Sequence, residues 1–260
     1  MSEQAVLMEK NNQVAWITLN RPKVMNAFNV EMVTLLGQIM ETLRFDTDTR
    51  AIVIIGQGEK AFCSGADLKE RLTMSESDVK RFIFTIRNLF TFIEEMGKPV
   101  VAAINGVALG GGLELALASD IRVASASAVM GLTETRLAII PGAGGTQRLP
   151  RIVGRGKAKE MIFTGKRIGA DEAEAMGLVN RICNPDQLRK TCEDITAMIC
   201  EAGPLAVEQA KFAINRGSET DLHTGLAIES NAYWLTIPTQ DRLEGLKAFR
   251  EKRKPVYQGK

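Results

Sequence analysis

The chain is poor in the residues that carry most nucleophilic and metal chemistry. It holds one histidine, His223, in 260 residues. A serine or cysteine hydrolase needs a base beside its nucleophile, and nothing here is placed to supply one. Ser64 sits in no G-x-S-x-G elbow, and His223 reads as a surface or interface residue of the C-terminal part. The four cysteines, Cys63, Cys183, Cys192 and Cys200, form no C-x-x-C pair. That argues against zinc and against a disulfide framework, and for free thiols in a reducing compartment. No apolar run reaches about 18 residues, so no membrane-spanning helix is expected. The N-terminal segment from Met1 to Leu7 has an early acid and no basic n-region, so no secretory signal is expected and a cytoplasmic location is. An excess of either charge is missing too. Thirty-three Lys and Arg against 31 Asp and Glu leave a net charge of +2, which gives no global footprint for nucleic acid.

What is present is an ordinary globular composition, 45% hydrophobic and 25% charged, which sets disorder aside. Length favours one large domain or one domain with an appendage. Val14–Leu19, Ala51–Ile55, Val100–Ile104 and Ile121–Ala124 read as strands. Between them lie helical periodicities. One helix follows a cap at Asn29 and runs through Met32, Leu35, Leu36, Ile39, Met40 and Leu43. Another, from about Ser75, places Val79, Phe82, Ile83, Ile86, Leu89, Phe90 and Ile93 on one stripe. Strand–helix alternation of this kind predicts an α/β core. After about residue 150 strand signals nearly vanish, and helices are expected over 155–163, 170–176, 186–202, 204–216, 221–236 and 239–252. Pro204 suits a first turn, and Ser218-x-x-Asp221 suits a cap. The reading divides the chain into a core, residues 1–199, and a helical region, 200–260. The aromatics of the latter, Phe212, Tyr233, Trp234 and Phe249, exceed what a few helices bury alone, so packing on the core and on another subunit is expected.

Two glycine-rich loops dominate the chemistry. Asn105-Gly106-Val107-Ala108-Leu109-Gly110-Gly111-Gly112 follows a buried strand and opens a helix, so bare N–H groups face whatever binds there. It lacks the Gly-Lys-Ser/Thr ending of a phosphate loop and the spacing of a dinucleotide fingerprint. An anion hole without a phosphate lysine remains, suited to a transient oxyanion. Glu114, three residues after Gly111, falls about one turn along the same helix face. Its plainer reading is compensation of the helix dipole. The second loop, Ile140-Pro141-Gly142-Ala143-Gly144-Gly145-Thr146, is preceded by Glu134, which taken alone would be a surface acid paired with Arg136. A third loop, Lys60 to Lys69 through Gly65, again presents backbone N–H groups.

Together these loops resemble the crotonase (enoyl-CoA hydratase/isomerase) superfamily. The likeness is carried by Asn20-Arg21-Pro22-Lys23 through Asn26-Ala27, Phe62 to Leu68, Asn105 to Glu114, Glu134 with Pro141 to Arg148, and Asp241 through Arg253. It spans nearly the whole chain. The resemblance implies a right-handed spiral of β-β-α turns followed by a helical trimerisation region, assembled as a homotrimer or as a homohexamer of two trimers. It implies an acyl-CoA substrate and no separate cofactor, CoA being part of the substrate. By motif position the oxyanion hole falls on the N–H groups of Ala66 and Gly111. Both acidic positions of the hydratases are filled, by Glu114 and Glu134, which implies syn addition of water to a trans-2-enoyl-CoA. Glu134 is assigned to protonating the α-carbon and Glu114 to activating the water, with Gly142 near that water. Lys23, Val24, Met25, Ala27, Ser64, Ala66, Asp67, Leu68, Lys69 and Lys252 resemble CoA contacts, Lys252 reaching a neighbouring subunit's ligand.

Leu132 stands where some short-chain members carry glutamine, and the stretches around Glu134 and Thr224–Glu229 resemble the methylglutaconyl-CoA hydratase branch. An isomerase, which moves a double bond with one carboxylate, is disfavoured by the presence of both glutamates. RNA binding, known for a member of that branch, is not expected. Over Ser75 to Glu95 the bases Lys80, Arg81 and Arg87 are offset by Glu76, Asp78, Glu94 and Glu95, which leaves no basic stripe.

Overall fold

Near-continuous apolar runs become strands buried on both faces, and such strands frame this molecule. The computed structural model describes residues 4–260; Met1–Glu3, the start of the segment read for a secretory signal, lie outside the described residues. Strands β1 (Val6–Asn11) and β2 (Val14–Leu19) pair antiparallel. Helix α1 (Val30–Phe45) follows, capped as expected by Asn29, whose side chain accepts from the Met32 N–H. A pattern then recurs three times: a strand for one sheet, a strand for a second, and helix. The first turn is β3 (Ala51–Gly56), β4 (Ala61–Cys63), α2 (Leu68–Arg71) and α3 (Glu76–Glu95). The second is β5 (Val100–Ile104), β6 (Val107–Leu109) and α4 (Gly111–Ala118). The third is β7 (Ile121–Ser125), β8 (Val129–Gly131), α5 (Gly145–Val153) and α6 (Arg155–Thr164). Then come β9 (Ile168–Gly169), α7 (Ala170–Ala175) and β10 (Arg181–Cys183).

The larger sheet has the order β1-β2-β3-β5-β7-β10 and is parallel from β2 onward; the smaller is β4-β6-β8-β9, with only β9 antiparallel. This is the expected α/β spiral of β-β-α turns. Strands β9 and β10 correct the expectation that strand ends near residue 150. They run two and three residues, too short for any periodicity to show. The short β4, β6 and β8 hide in the glycine loops for the same reason.

Period-2 alternation divides the large sheet's side chains between two cores. Ala15, Ile17, Ile52, Ile54, Ala102 and Ile104 face the main core with α1, α3 and α4. Trp16, Val53, Val101, Ala103 and Val123 face Leu188, Cys192 and Ile195 of α8 (Leu188–Cys200). On α3, Phe82, Ile86, Leu89, Phe90 and Ile93 are buried, so that helix spends its apolar stripe on the core.

Helices α9 (Pro204–Gly217), α10 (Leu222–Thr236) and α11 (Gln240–Glu251) end the chain. Pro204 opens α9 as expected, but the cap of α10 is Asp221 alone, accepting from the Thr224 N–H, while Ser218 ends α9. A largely buried ion pair, Lys211 Nζ to Asp120 Oδ2 at 2.7 Å, ties α9 to the core. Phe212, Tyr233, Trp234 and Phe249 stay exposed on the single chain, Phe249 at 86%, so they pack little on their own core. Among the described residues no helix is long and apolar enough to cross a membrane, and the four cysteines are free thiols.

Candidate active site

Three loops at the ends of the short strands enclose a cavity of about 600 Å³. Its shape depends on close backbone approach. A Cβ on Gly112 would lie 2.0 Å from the Cys63 carbonyl oxygen, so only glycine lets α4 start against β4. Beside it, Gly110 has φ +51° and would set a Cβ 2.9 Å from Glu134 Oε1. The result is two loops nearly in contact, with the Gly65 and Gly111 backbones facing each other. Among the described residues neither the Ala66 N–H nor the Gly111 N–H donates to a protein acceptor; the bridge between Phe28 and Ala66 uses Gly65 O and the Asp67 N–H instead. Two free backbone donors therefore line one cavity wall.

The opposite chemistry comes from two carboxylates held in contrasting ways. Glu114 is buried, and its Oε1 accepts from the Ala143 N–H at 2.8 Å and the Gly145 N–H at 2.7 Å, at the N-terminus of α5. Burial pushes its pKa up, against those two N–H groups and the nearby Arg148 guanidinium, which favour the ionised form. Arg148 also secures the loop itself: it donates to Ala143 O and makes a double hydrogen bond to Glu94 of α3. Glu134 has no such clamp. Among the described residues its buried Oε2 has no hydrogen-bond partner, and Arg136, its partner in the plain sequence reading, donates Nε to Thr164 O instead. Burial first, and the Glu114 charge second, push Glu134 up to about 7. The Glu114 charge is felt by Glu134, and burial pushes both acids up, but only Glu114 is clamped by two N–H groups that favour its ionised form. Cys63, beneath the first loop, is pushed up to about 12 by burial and is inert as a nucleophile.

A larger groove, about 900 Å³, runs between α3, α5 and α9. Three of its five arginines are already spoken for, Arg148 by Glu94, Arg151 by Glu219 and Arg216 by Glu95. The carboxylate pair and the free N–H groups make the smaller cavity the candidate site.

Known proteins resemble this chain over nearly its full length. The family model described as enoyl-CoA hydratase/isomerase matches residues 9–260. The chain belongs to the enoyl-CoA hydratase/isomerase family. The Bacillus subtilis protein YngF is 54% identical over 259 residues, covering 100% of each chain. Human mitochondrial methylglutaconyl-CoA hydratase is 48% identical over 258 residues, covering 97% of this chain and 76% of that one. The crystal structure of an enoyl-CoA hydratase from Bacillus anthracis superposes with a TM-score of 0.97 at 48% identity, covering 99% of this chain and 100% of that one.

Of the residues expected at the site, Glu114, Glu134, Ala66, Gly111 and Gly142 all line the cavity, with Val24, Met25, Ala27, Ser64, Asp67, Leu68 and Lys69. Lys23 and Lys252 do not. Asp67 has structural work: its Oδ1 accepts from the Lys69 and Glu70 N–H groups, capping α2, and its Oδ2 takes Arg21 Nη2 at 2.9 Å. Burial would raise its pKa, but the Arg21 hydrogen bond and charge together with the Glu70 and Lys69 N–H groups outweigh this and hold it below the usual carboxylate range. Arg21 and Asn26, noticed in the sequence only as part of a motif, pin the first loop. Asn26 is fully buried and donates to Ala61 O and Gln57 O, while Arg21 Nη1 donates to Ala27 O. Sequence reasoning missed Ala143 and Gly145 as the donors to Glu114, and missed the α3 wall of Phe82, Ile83 and Ile86. Leu72 and Phe84 are exposed and line no part of it. The α3 periodicity held the missing signal, since Ile83 lies at the edge of the buried stripe.

Proposed function

We propose that the chain is an enoyl-CoA hydratase catalysing reversible syn addition of water to trans-2-enoyl-CoA thioesters. One observation carries the reading: two free backbone N–H groups share a cavity with two carboxylates, one held by two N–H groups and the other with a buried oxygen left without a partner among the described residues. The thioester oxygen accepts from the Ala66 and Gly111 N–H groups, which stabilise the enolate as charge develops; one such donor is worth about 2.7–4 kcal/mol in other enzymes. Glu114, whose Oε1 is held by two N–H groups that favour the ionised form, takes a proton from water at the β-carbon, with Gly142 beside that water. Glu134 delivers its proton to the α-carbon. A single carboxylate suffices for an isomerase, so the pair favours hydration.

The substrate strip from Val24 to Lys69 takes the CoA moiety, with Lys23 at its outer end and Lys252 reaching a neighbouring subunit's ligand. No separate cofactor is required by this chemistry. The exposed aromatics of α9 to α11 support a homotrimer or homohexamer, and four free thiols support the cytoplasm. RNA has no basic stripe to bind on α3.

The test is hydration of crotonyl-CoA, followed by loss of the conjugated thioester's ultraviolet absorbance. Turnover abolished by Glu114→Gln and by Glu134→Gln is expected. Absence of turnover in a protein that still binds CoA esters would overturn the reading. Light scattering reads the assembly; a monomer at micromolar concentration would remove it.

A further inference from the structure

The turn over residues 142–145 presents two N–H groups to Glu114 Oε1, from Ala143 at 2.8 Å and from Gly145 at 2.7 Å. They belong to the two planar peptide units that flank the Ala143–Gly144 unit. The carbonyl of that middle unit accepts instead from Arg148 Nη1, at 3.0 Å. Arg148 lines the larger groove and no part of the cavity, so the middle peptide is tied from behind. Gly144 makes the tie possible. It has φ +110°, and a Cβ there would lie 1.9 Å from Arg148 Nη1.

Arg148 is itself firmly held, with its side chain 12% exposed. Nε and Nη2 meet Glu94 Oε1 and Oε2 at 3.1 and 2.6 Å, and Nη2 also donates to Thr91 Oγ1 at 3.3 Å. Four of the five guanidinium N–H donors are thus committed, in a fork that lysine cannot reproduce. Glu94 in turn sits near the end of α3, where Asn215 of α9 donates to its carbonyl at 3.1 Å and Arg216 pairs with Glu95. The same helix reaches the turn from the cavity side. Ile83, about three helical turns before Glu94 on one face, has its Cγ2 3.1 Å from where a Gly142 Cβ would lie. Helix α3 therefore grips the turn twice, by Ile83 in front and through Arg148 behind.

We propose that Arg148 is a positioning residue for the reaction: through its fork to Glu94 it fixes the middle peptide of the turn and so keeps both flanking N–H groups aimed at the Glu114 carboxylate. This rests on the hydratase reading above. Without the tie the Ala143–Gly144 peptide is free to rotate, and the N–H groups on either side lose their aim. A misplacement on the order of 1 Å can cost about 100-fold in rate. Substrate binding is spared, because Arg148 stands outside the cavity. The aim of the N–H groups and the guanidinium charge both favour ionised Glu114. The other titratable groups around it are Glu134 in the same cavity, Glu94 behind Arg148, and Cys63 of β4, which keeps its proton.

The experiment follows crotonyl-CoA hydration across pH in the full chain and in three variants. Arg148→Met is expected to lower kcat about 10-fold or more, while KM changes less than about threefold. The acidic limb of its kcat profile moves to higher pH, because Glu114 becomes harder to ionise. Arg148→Lys keeps the charge without the fork and recovers only part of kcat. Glu94→Gln leaves the arginine's charge in place and loosens its fork, so a fall of about threefold or more is expected there too. That variant decides the matter if Arg148→Met does not fold. Parent-like kcat in Glu94→Gln, full recovery by Arg148→Lys, an unmoved acidic limb in Arg148→Met, or a loss in KM rather than kcat would each overturn the proposal. Any of these beside an active parent sinks this inference alone. A parent without turnover sinks the hydratase reading, and the inference with it.

Discussion

The loop that holds Glu114 and the loop that holds Glu134 use the same residue type in one cavity and treat it oppositely. Glu114 is met by two N–H groups at a helix N-terminus, with Arg148 behind them. Glu134 is left with a buried oxygen that nothing among the described residues satisfies, against the bare Cα of Gly110. The difference teaches that backbone geometry gives one residue type two opposite surroundings, with no change of side-chain chemistry.

The sharpest way to break this comparison is to neutralise each acid. Glu134→Gln removes the transferable proton and is expected to cut kcat on the order of 1,000-fold, and Glu114→Gln on the order of 100-fold, with crotonyl-CoA as substrate and with folding retained by circular dichroism. If either variant kept near-full turnover, its role would be lost. Next comes Gly112→Ala, whose methyl must push α4 away from the Cys63 carbonyl. A loss of about 3 kcal/mol or more is expected in urea unfolding. Gly156→Ala serves as control, since nothing lies within 4 Å of its Cβ position; equal behaviour of the two would discount the close approach.

A smaller effect sharpens the contrast in charge. Activity is expected to fall as pH rises through about 7, where Glu134 loses its proton. In Glu114→Gln the residual activity's alkaline limb moves to lower pH, because one of the two influences raising Glu134 is gone. An unmoved limb would uncouple the pair. The smallest effect is on stability. Glu134 is raised from 4.5 to about 7, so the folded state binds the proton more tightly than the unfolded one. Stability from this group is full below about 4.5 and is lost as pH rises to about 7. Glu134→Gln therefore melts higher than the parent at about pH 8, and the advantage shrinks near pH 4.5. Melting curves that never diverge would remove the buried-charge argument.

Much of this was legible in the chain. The apolar runs at Val14, Ala51, Val100 and Ile121 are long enough for burial on two faces to show as uninterrupted hydrophobicity. The caps at Asn29, Ser75 and Thr239 act within three residues. Five motifs in order pointed to the family. What stayed hidden was short or distant. Strands β4, β6 and β8 have three residues each, too few for a period. Arg21 meets Asp67 across 46 positions, and no local pattern encodes such a pairing.

The sequence by itself determined where the chain could turn tightly, which stretches would be buried, and which two acids were available. Those properties live in a residue's own volume, charge and backbone freedom, and they survive without neighbours. The tertiary structure alone decided that the Ala143 and Gly145 N–H groups would meet Glu114, and that Glu134 would be left unsatisfied among the described residues. Each depends on the desolvation and distance between groups far apart in the chain, and those quantities come into being only when the chain has folded.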